Sequence, residues 1–310
     1  MKLSIVIPAF NEAANIAAAI REVQAAISDV PGIADHEIVV VDDCSTDHTF
    51  DTVHGLASPR VRCLRLSRQS GSHVAIRAGL DHAEGDAVLC LSADGQDDPG
   101  ILKAMMQKWE AGDRVVWALR RFREEGISYR LLTGTFYLLL RLLTDKNPQQ
   151  IDLADADFFL LDRKVVKSIT SCPERNTSIF GLISWVGFRQ GIIRYDRRPR
   201  MGGSSKWSFR SRLRLTVDWI VAFSGLPLRL ISLLGLVVAM IGFLYAGVIV
   251  VNAYVGKPVA GWSETIILIL TMGGLQMLIS GIIGEYLWRN LEETRNRPLY
   301  FIEKQTDQNR

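Results

Sequence analysis

The sequence predicts an α/β fold: a mostly parallel sheet with helices on both faces, followed by a two-helix transmembrane hairpin. Three observations predict it. Short apolar runs alternate with helically spaced segments from Leu3 to Leu119. Three of those runs end in polar clusters, Asn11-Glu12, Asp42-Asp43 and Ser92–Asp98. Further on, Leu230–Gly256 and Thr265–Gly284 contain no charged residue at all.

Taken in order, Leu3–Ile7 (LSIVI) reads as a first buried strand, broken at Pro8-Ala9-Phe10-Asn11-Glu12. Ala13–Ile27 has helical spacing in Ile16, Ile20, Val23 and Ile27. Glu37–Val41 is a second strand, closed by Asp42-Asp43-Cys44-Ser45-Thr46-Asp47, and Val61–Leu66 is a third. Gly71–Ala83 reads as a helix, Ala87–Leu91 as a fourth strand and Arg114–Leu119 as a fifth. No internal repeat or low-complexity linker interrupts the series. Neither GxGxxG nor GxxxxGK[ST] occurs, so dinucleotide and P-loop sites are not supported.

The chain has 310 residues and a formal net charge of +3, so its charge distribution says more than its total. Arg189–Arg214 holds nine Lys or Arg against one acid, Asp196. This run suits anionic lipid headgroups or a phosphate ligand, and nothing in the chain suggests nucleic acid as a partner. The four cysteines (Cys44, Cys63, Cys90, Cys172) have neither CxxC nor zinc spacing and read as reduced cytosolic thiols. MKLSIVIPAF begins as a strand and carries no secretory h-region.

Each charge-free stretch is long enough as a helix to cross ~30 Å of hydrocarbon. Two buried core helices are the alternative, but both stretches are too evenly apolar to present one face. The connector Tyr254–Glu264 has one cation, Lys257. The outer flanks carry Arg210, Arg212, Arg214 and Arg229 on one side and Arg289, Arg295, Arg297 and Lys304 on the other. The positive-inside rule places both outer ends, and so both termini, in the cytosol. The expected organisation is a cytosolic domain over residues 1–207, an amphipathic juxtamembrane helix over 208–228, a two-helix anchor over 229–288 and a cytosolic tail over 289–310. Residues 127–144 read as an interfacial helix, with a core helix as the alternative. Arg297–Lys304 is strand-like and is expected to add to a sheet edge, a neighbouring subunit's included, which would make a homo-oligomer.

The chemistry centres on Val88–Asp98 (VLCLSADGQDD), a buried strand that turns abruptly acidic. Carboxylates just past the C-terminal end of a strand lie where open α/β sheets bind ligands. Asp94 and Gln96 offer oxygen ligands suited to Mg2+ or Mn2+ shared with substrate phosphates. A solvated acidic loop is the plain alternative. If the three polar clusters end neighbouring parallel strands, they share one edge and can form a nucleotide site.

At these residues the sequence resembles a known family. SIVIPAFNEAANI, EIVVVDDCSTDHT, RQSGSHVAIRAGL and LSADGQDDP together are similar to the inverting GT-A glycosyltransferases of family 2. DFFLLDRKVV, RMGGSSKW and the two-helix anchor narrow the resemblance to the polyprenyl-phosphate glycosyltransferases, a group that includes dolichyl-phosphate mannose synthase and the bacterial undecaprenyl-phosphate glucosyltransferases. The resemblance implies a GT-A (Rossmann-like) fold and donor-binding positions at Pro8, Ala9, Phe10, Asn11, Glu12, Val41, Asp43, Ser92, Ala93, Asp94 and Arg120. It implies a divalent cation on Asp94 and Gln96, a catalytic aspartate at Asp157, and a grip on acceptor phosphate by Arg200, Ser205 and Lys206. One departure stands out: the family usually has Asp-Ala-Asp where this chain has Ser92-Ala93-Asp94.

The expected activity is transfer of one sugar, with inversion, from a nucleotide sugar to a polyprenyl phosphate in the bacterial inner membrane. UDP-glucose is the first choice of donor and GDP-mannose the second. A processive polysaccharide synthase is disfavoured, because two spans enclose no glycan channel and no QxxRW motif occurs. Ser92 keeps open a weakly catalytic protein that only binds sugar nucleotides. For Asp157, the competing expectation is a helix N-cap ahead of Phe158–Val166.

Overall fold

A computed structural model describes residues 1–121, 158–172, 174, 178–196, 198, 226–255 and 261–306. The expected strands and helices form in sequence order: β1 (Lys2–Ala9), α1 (Ile16–Ser28), β2 (Asp35–Asp42), α2 (Thr49–His54), β3 (Val61–Leu66), α3 (Ser72–His82) and β4 (Ala87–Cys90). A short 3-10 turn, Pro99–Ile101, leads into α4 (Leu102–Glu110), and β5 follows at Val115–Arg120. Next come β6 (Phe158–Asp162), α5 (Arg163–Thr170), α6 (Ile179–Trp185) and β7 (Gln190–Tyr195). Two long helices, α7 (Leu226–Tyr254) and α8 (Trp262–Thr294), precede the last strand, β8 (Ile302–Gln305).

The eight strands form one sheet in the order β7-β5-β6-β4-β1-β2-β3-β8. Its heart, β4-β1-β2-β3, is parallel. These strands are near-continuous apolar runs because helices cover both faces of a parallel sheet. One apolar cluster lies under α1 and α4 (Ile5, Ile7, Ile16, Ile20, Leu89, Met105) and another under α3, α5 and α6 (Val6, Ile76, Val88, Trp117, Phe159, Val166). Helix α3 lies so close to β1 that a Cβ at Gly79 would collide with Val6.

Two antiparallel strands depart from the expected pattern. β6 inserts between β4 and β5 and pairs antiparallel with both. The helix after Asp157 therefore begins at Arg163, not at Phe158, and its N-cap is Asp162, whose carboxylate accepts the Lys164 N–H at 2.9 Å. The N-cap expectation for Asp157 falls with this register. β8 pairs antiparallel with β3 of the same chain, so the tail adds to its own sheet edge. Tyr300 and Ile302 seal that edge over Val39, Val41, Leu64 and Leu66.

The chain divides into two compact units. One holds the sheet, its helices and the chain from Pro298 onward, and the other holds α7 and α8. Those helices run 29 and 33 residues. Among the described residues no helix is long and apolar enough to cross a membrane. Of the charge-free stretches, Leu230–Tyr254 lies in α7 and Thr265–Gly284 in α8. The expected helices at 127–144 and over most of 208–228 lie outside the described residues.

Candidate active site

The strand order brings the three polar clusters together. β1 lies between β4 and β2, so Ala9–Glu12, Asp42-Asp43 and Ser92–Asp98 all emerge at one edge, at the carboxyl ends of parallel strands. From β1 the sheet grows one way through β2 and β3 and the other way through β4, which makes this edge the switch point where open α/β sheets bind ligands.

The first two clusters are stitched into one surface. Asn11 adopts a left-handed backbone, φ 54°, and its Oδ1 accepts the Thr46 N–H at 2.8 Å. Ser45 Oγ accepts the Asn11 N–H at 2.9 Å, and Thr49 Oγ1 accepts that of Glu12 at 2.9 Å. Asp43 accepts the N–H groups of Ser70 and Gly71 at 2.7 and 2.8 Å, fastening the loop before α3 to the end of β2. Burial pushes its carboxyl above the usual carboxylate range, and the two N–H donors pull it back. Its neighbour Asp42 is fully buried. Its Oδ2 pairs with Arg65 at 2.8 Å, and Arg65 also donates to Ser45 O at 3.0 Å and to Glu303 of β8 at 3.0 Å.

The third cluster is a tight loop with Gly95 at φ 70°. Ser92 Oγ lies 2.7 Å from Asp94 Oδ1 and 2.6 Å from Asp97 Oδ2. Asp94 Oδ1 also accepts the Gln96 N–H at 3.2 Å, and Asp97 Oδ2 the Ser92 N–H at 2.9 Å. Tyr195, at the end of β7, donates its hydroxyl to Asp97 Oδ1 at 2.7 Å. Arg198 completes the brace: its N–H donates to Gln96 O at 3.0 Å, and its guanidinium pairs with Asp98 at 2.7 Å and with Glu22 of α1 at 3.0 Å.

Of the expected site residues, Pro8, Phe10, Asn11, Glu12, Asp43, Ser92, Asp94 and Gln96 stand at this edge, and Arg120 ends β5 beside Tyr195 in the β5–β7 register. Ala9, Val41 and Ala93 also stand here, but their side chains are buried in the apolar clusters, so any contact with a ligand is through backbone. Asp157, Arg200, Ser205 and Lys206 lie outside the described residues; Asp157 directly precedes Phe158 of β6. Sequence reasoning missed Asp42, Arg65, Tyr195 and Arg198 as structural partners of the site. Asp42, inside the quoted acidic cluster, and Arg198, inside the arginine-rich run, carried a signal. No group of three or more His, Cys, Asp or Glu suited to a metal occurs among the described residues. One carboxylate and one amide oxygen, Asp94 and Gln96, fit instead an ion that completes its shell with water and substrate phosphates.

Comparison with known proteins identifies the family. The model of glycosyl transferase family 2 matches residues 4–170. The SfII prophage-derived bactoprenol glucosyl transferase of Shigella flexneri is 37% identical over 98% of this chain and 98% of its own length. An uncharacterized glycosyltransferase of Bacillus subtilis, YkcC, is 35% identical over 98% and 94%. The prophage bactoprenol glucosyl transferase homolog of Escherichia coli K12 is 36% identical over 98% and 99%. Among solved structures, a glucosyl-3-phosphoglycerate synthase from Mycobacterium tuberculosis superimposes with a TM-score of 0.50 at 19% identity, covering 72% of this chain and 80% of that one. With its family matched across more than half the chain and its relatives matched from end to end, the protein belongs to glycosyl transferase family 2 and is a glycosyltransferase.

Proposed function

We propose that this enzyme transfers a single sugar, with inversion, from a nucleotide sugar to a polyprenyl phosphate at the cytosolic face of a bacterial inner membrane, with UDP-glucose as the donor. The observation that carries the reading is the meeting of three polar clusters at the β4-β1-β2 edge in a chain whose full length resembles bactoprenol glucosyl transferases.

Asp43 and the Phe10–Glu12 turn would bind the base and ribose, with the Ser45, Thr46 and Thr49 contacts fixing the turn beforehand. Asp94 and Gln96 would hold Mg2+ or Mn2+. When bound, such an ion offsets the charge of the departing diphosphate. Arg120 adds positive charge at the same edge. The acceptor phosphate is already largely ionised near neutral pH, with a second pKa of about 6, so it needs positioning more than deprotonation. Arg200, Ser205 and Lys206 would supply the grip, Arg as a fork and Lys as a point charge. Asp157 would orient the attack or take a residual proton.

The acceptor's hydrocarbon tail calls for an active site held at a bilayer. Support for anchoring comes from the charge-free stretches within α7 and α8 and from apolar side chains exposed on them, Phe243, Leu244, Val251 and Met277 among them.

The test is transfer to undecaprenyl phosphate by the purified full chain, with UDP-glucose and GDP-mannose compared. Lipid-linked glucose is expected, with loss on EDTA, recovery on Mg2+ or Mn2+, and no activity in Asp94→Ala at any metal concentration. A lipid-linked product from GDP-mannose alone would change the donor. No lipid-linked product from either would end the reading.

A further inference from the structure

The acidic loop contains a second buried aspartate that the proposed chemistry does not use. Asp97 is 2% exposed, and its carboxylate points back into the fold. It receives three donors: the Tyr195 hydroxyl on Oδ1, and the N–H and hydroxyl of Ser92 on Oδ2. Ser92 Oγ in turn reaches Asp94 Oδ1. A hydrogen-bonded path thus runs from the end of β7 to the metal candidate: Tyr195, Asp97, Ser92, Asp94.

A hydroxyl has one proton, so Ser92 Oγ shares it between Asp97 Oδ2 and Asp94 Oδ1. The Gln96 N–H adds to the same Asp94 oxygen. Those two donors fix the plane of the Asp94 carboxylate. Tyr195 is itself fixed: it is 4% exposed, and its ring packs edge-on against Phe158 at 5.6 Å, interplanar angle 89°. Phe158 is the chain neighbour of Asp157.

We infer that Tyr195 and Asp97 are positioning residues that act through Ser92 to orient the Asp94 carboxylate toward the divalent ion. The inference rests on the proposed donor site. Partners one step behind a metal ligand are typically worth about 10- to 100-fold in metal affinity. Ser92 is then the member of the relay that passes this constraint on.

The experiment is calorimetric titration of UDP, with GDP in parallel, into the full-length protein at graded Mn2+ concentrations. Tyr195→Phe keeps the ring against Phe158 and removes only the hydroxyl. The Mn2+ concentration that gives half the metal-dependent gain in nucleotide affinity is expected to rise about 10-fold, with nucleotide affinity in EDTA unchanged. Asp97→Asn, which covers the case in which Tyr195→Phe fails to fold, is expected to shift it at least as far. The double variant is expected to add nothing beyond the larger single effect. A Tyr195→Phe or Asp97→Asn curve that overlays wild type would overturn the inference and leave the donor site standing. So would an equal loss with and without metal, which marks a general loosening. Wild-type affinity that ignores Mn2+ for both nucleotides would overturn the inference together with the donor site itself.

Discussion

Ser92 lies within 2.7 Å of both Asp94 and Asp97. Ser92→Asp is therefore expected to act in opposite directions with and without metal. In EDTA a third carboxylate packed against two buried ones costs on the order of 1–3 kcal/mol, seen as a fall of several degrees in melting temperature. Saturating Mn2+ is expected to recover most of it, and equal melts in both conditions would contradict this. His73 gives a pH prediction. Its Nδ1 accepts the Ile179 N–H at 3.3 Å, and its Nε2 is buried without a partner. Burial pushes its pKa down from 6.5 to about 4. The unfolded chain then binds the extra proton between those values, so stability is full above about 6.5 and falls as the pH drops toward 4. His73→Leu is expected to flatten that slope in denaturant titrations across the window, a difference of up to roughly 3 kcal/mol. For Asp157, the capping role has passed to Asp162, so Asp157→Asn has no cap to preserve. Transfer is expected to drop ~10²-fold with UDP binding intact. Full activity in Asp157→Asn would sink the catalytic assignment.

At the scale of elements, helix α3 is seated by the absence of a side chain. Gly79→Ala is expected to cost ~1–3 kcal/mol through overpacking against Val6, measured by urea unfolding. Pairing it with Val6→Ala is expected to return part of that loss, and additive losses would show that the two do not share the space. The strands of the parallel core were legible because burial on both faces makes Ile38–Val41 or Val88–Leu91 apolar without interruption. β6 was not. The apolar run Phe158–Leu161 was joined across Asp162-Arg163-Lys164 to Val165 and Val166, so a strand followed by a helix read as one helix, and the antiparallel insertion left no local mark. β7 was hidden for another reason: it lies in an arginine-rich stretch, and only Gly191, Ile193 and Tyr195 turn inward. The metal candidate was legible as a run of oxygen ligands. Its brace was not, because Tyr195 and Asp97 are 98 residues apart.

For the whole molecule, the proposed membrane anchoring and the arginine distribution together predict that the outer ends of α7 and α8 face the cytosol. A cysteine placed at Gly256 is expected to react with an impermeant label on intact cells, and one placed at Gln308 is not; the reverse pattern would refute the anchor. The return of the chain to its own sheet has a consequence for how the protein is made. Cys63 of β3 donates its N–H to Thr306, 243 residues away, and Tyr300 packs over the same edge. At about 5–20 residues per second, the ribosome delivers β8 tens of seconds after β3, with both long helices emerging in between. Through that interval the nascent domain carries an unpaired strand edge, a template for wrong pairing. Biogenesis thus has a vulnerable window that closes only when the last strand arrives.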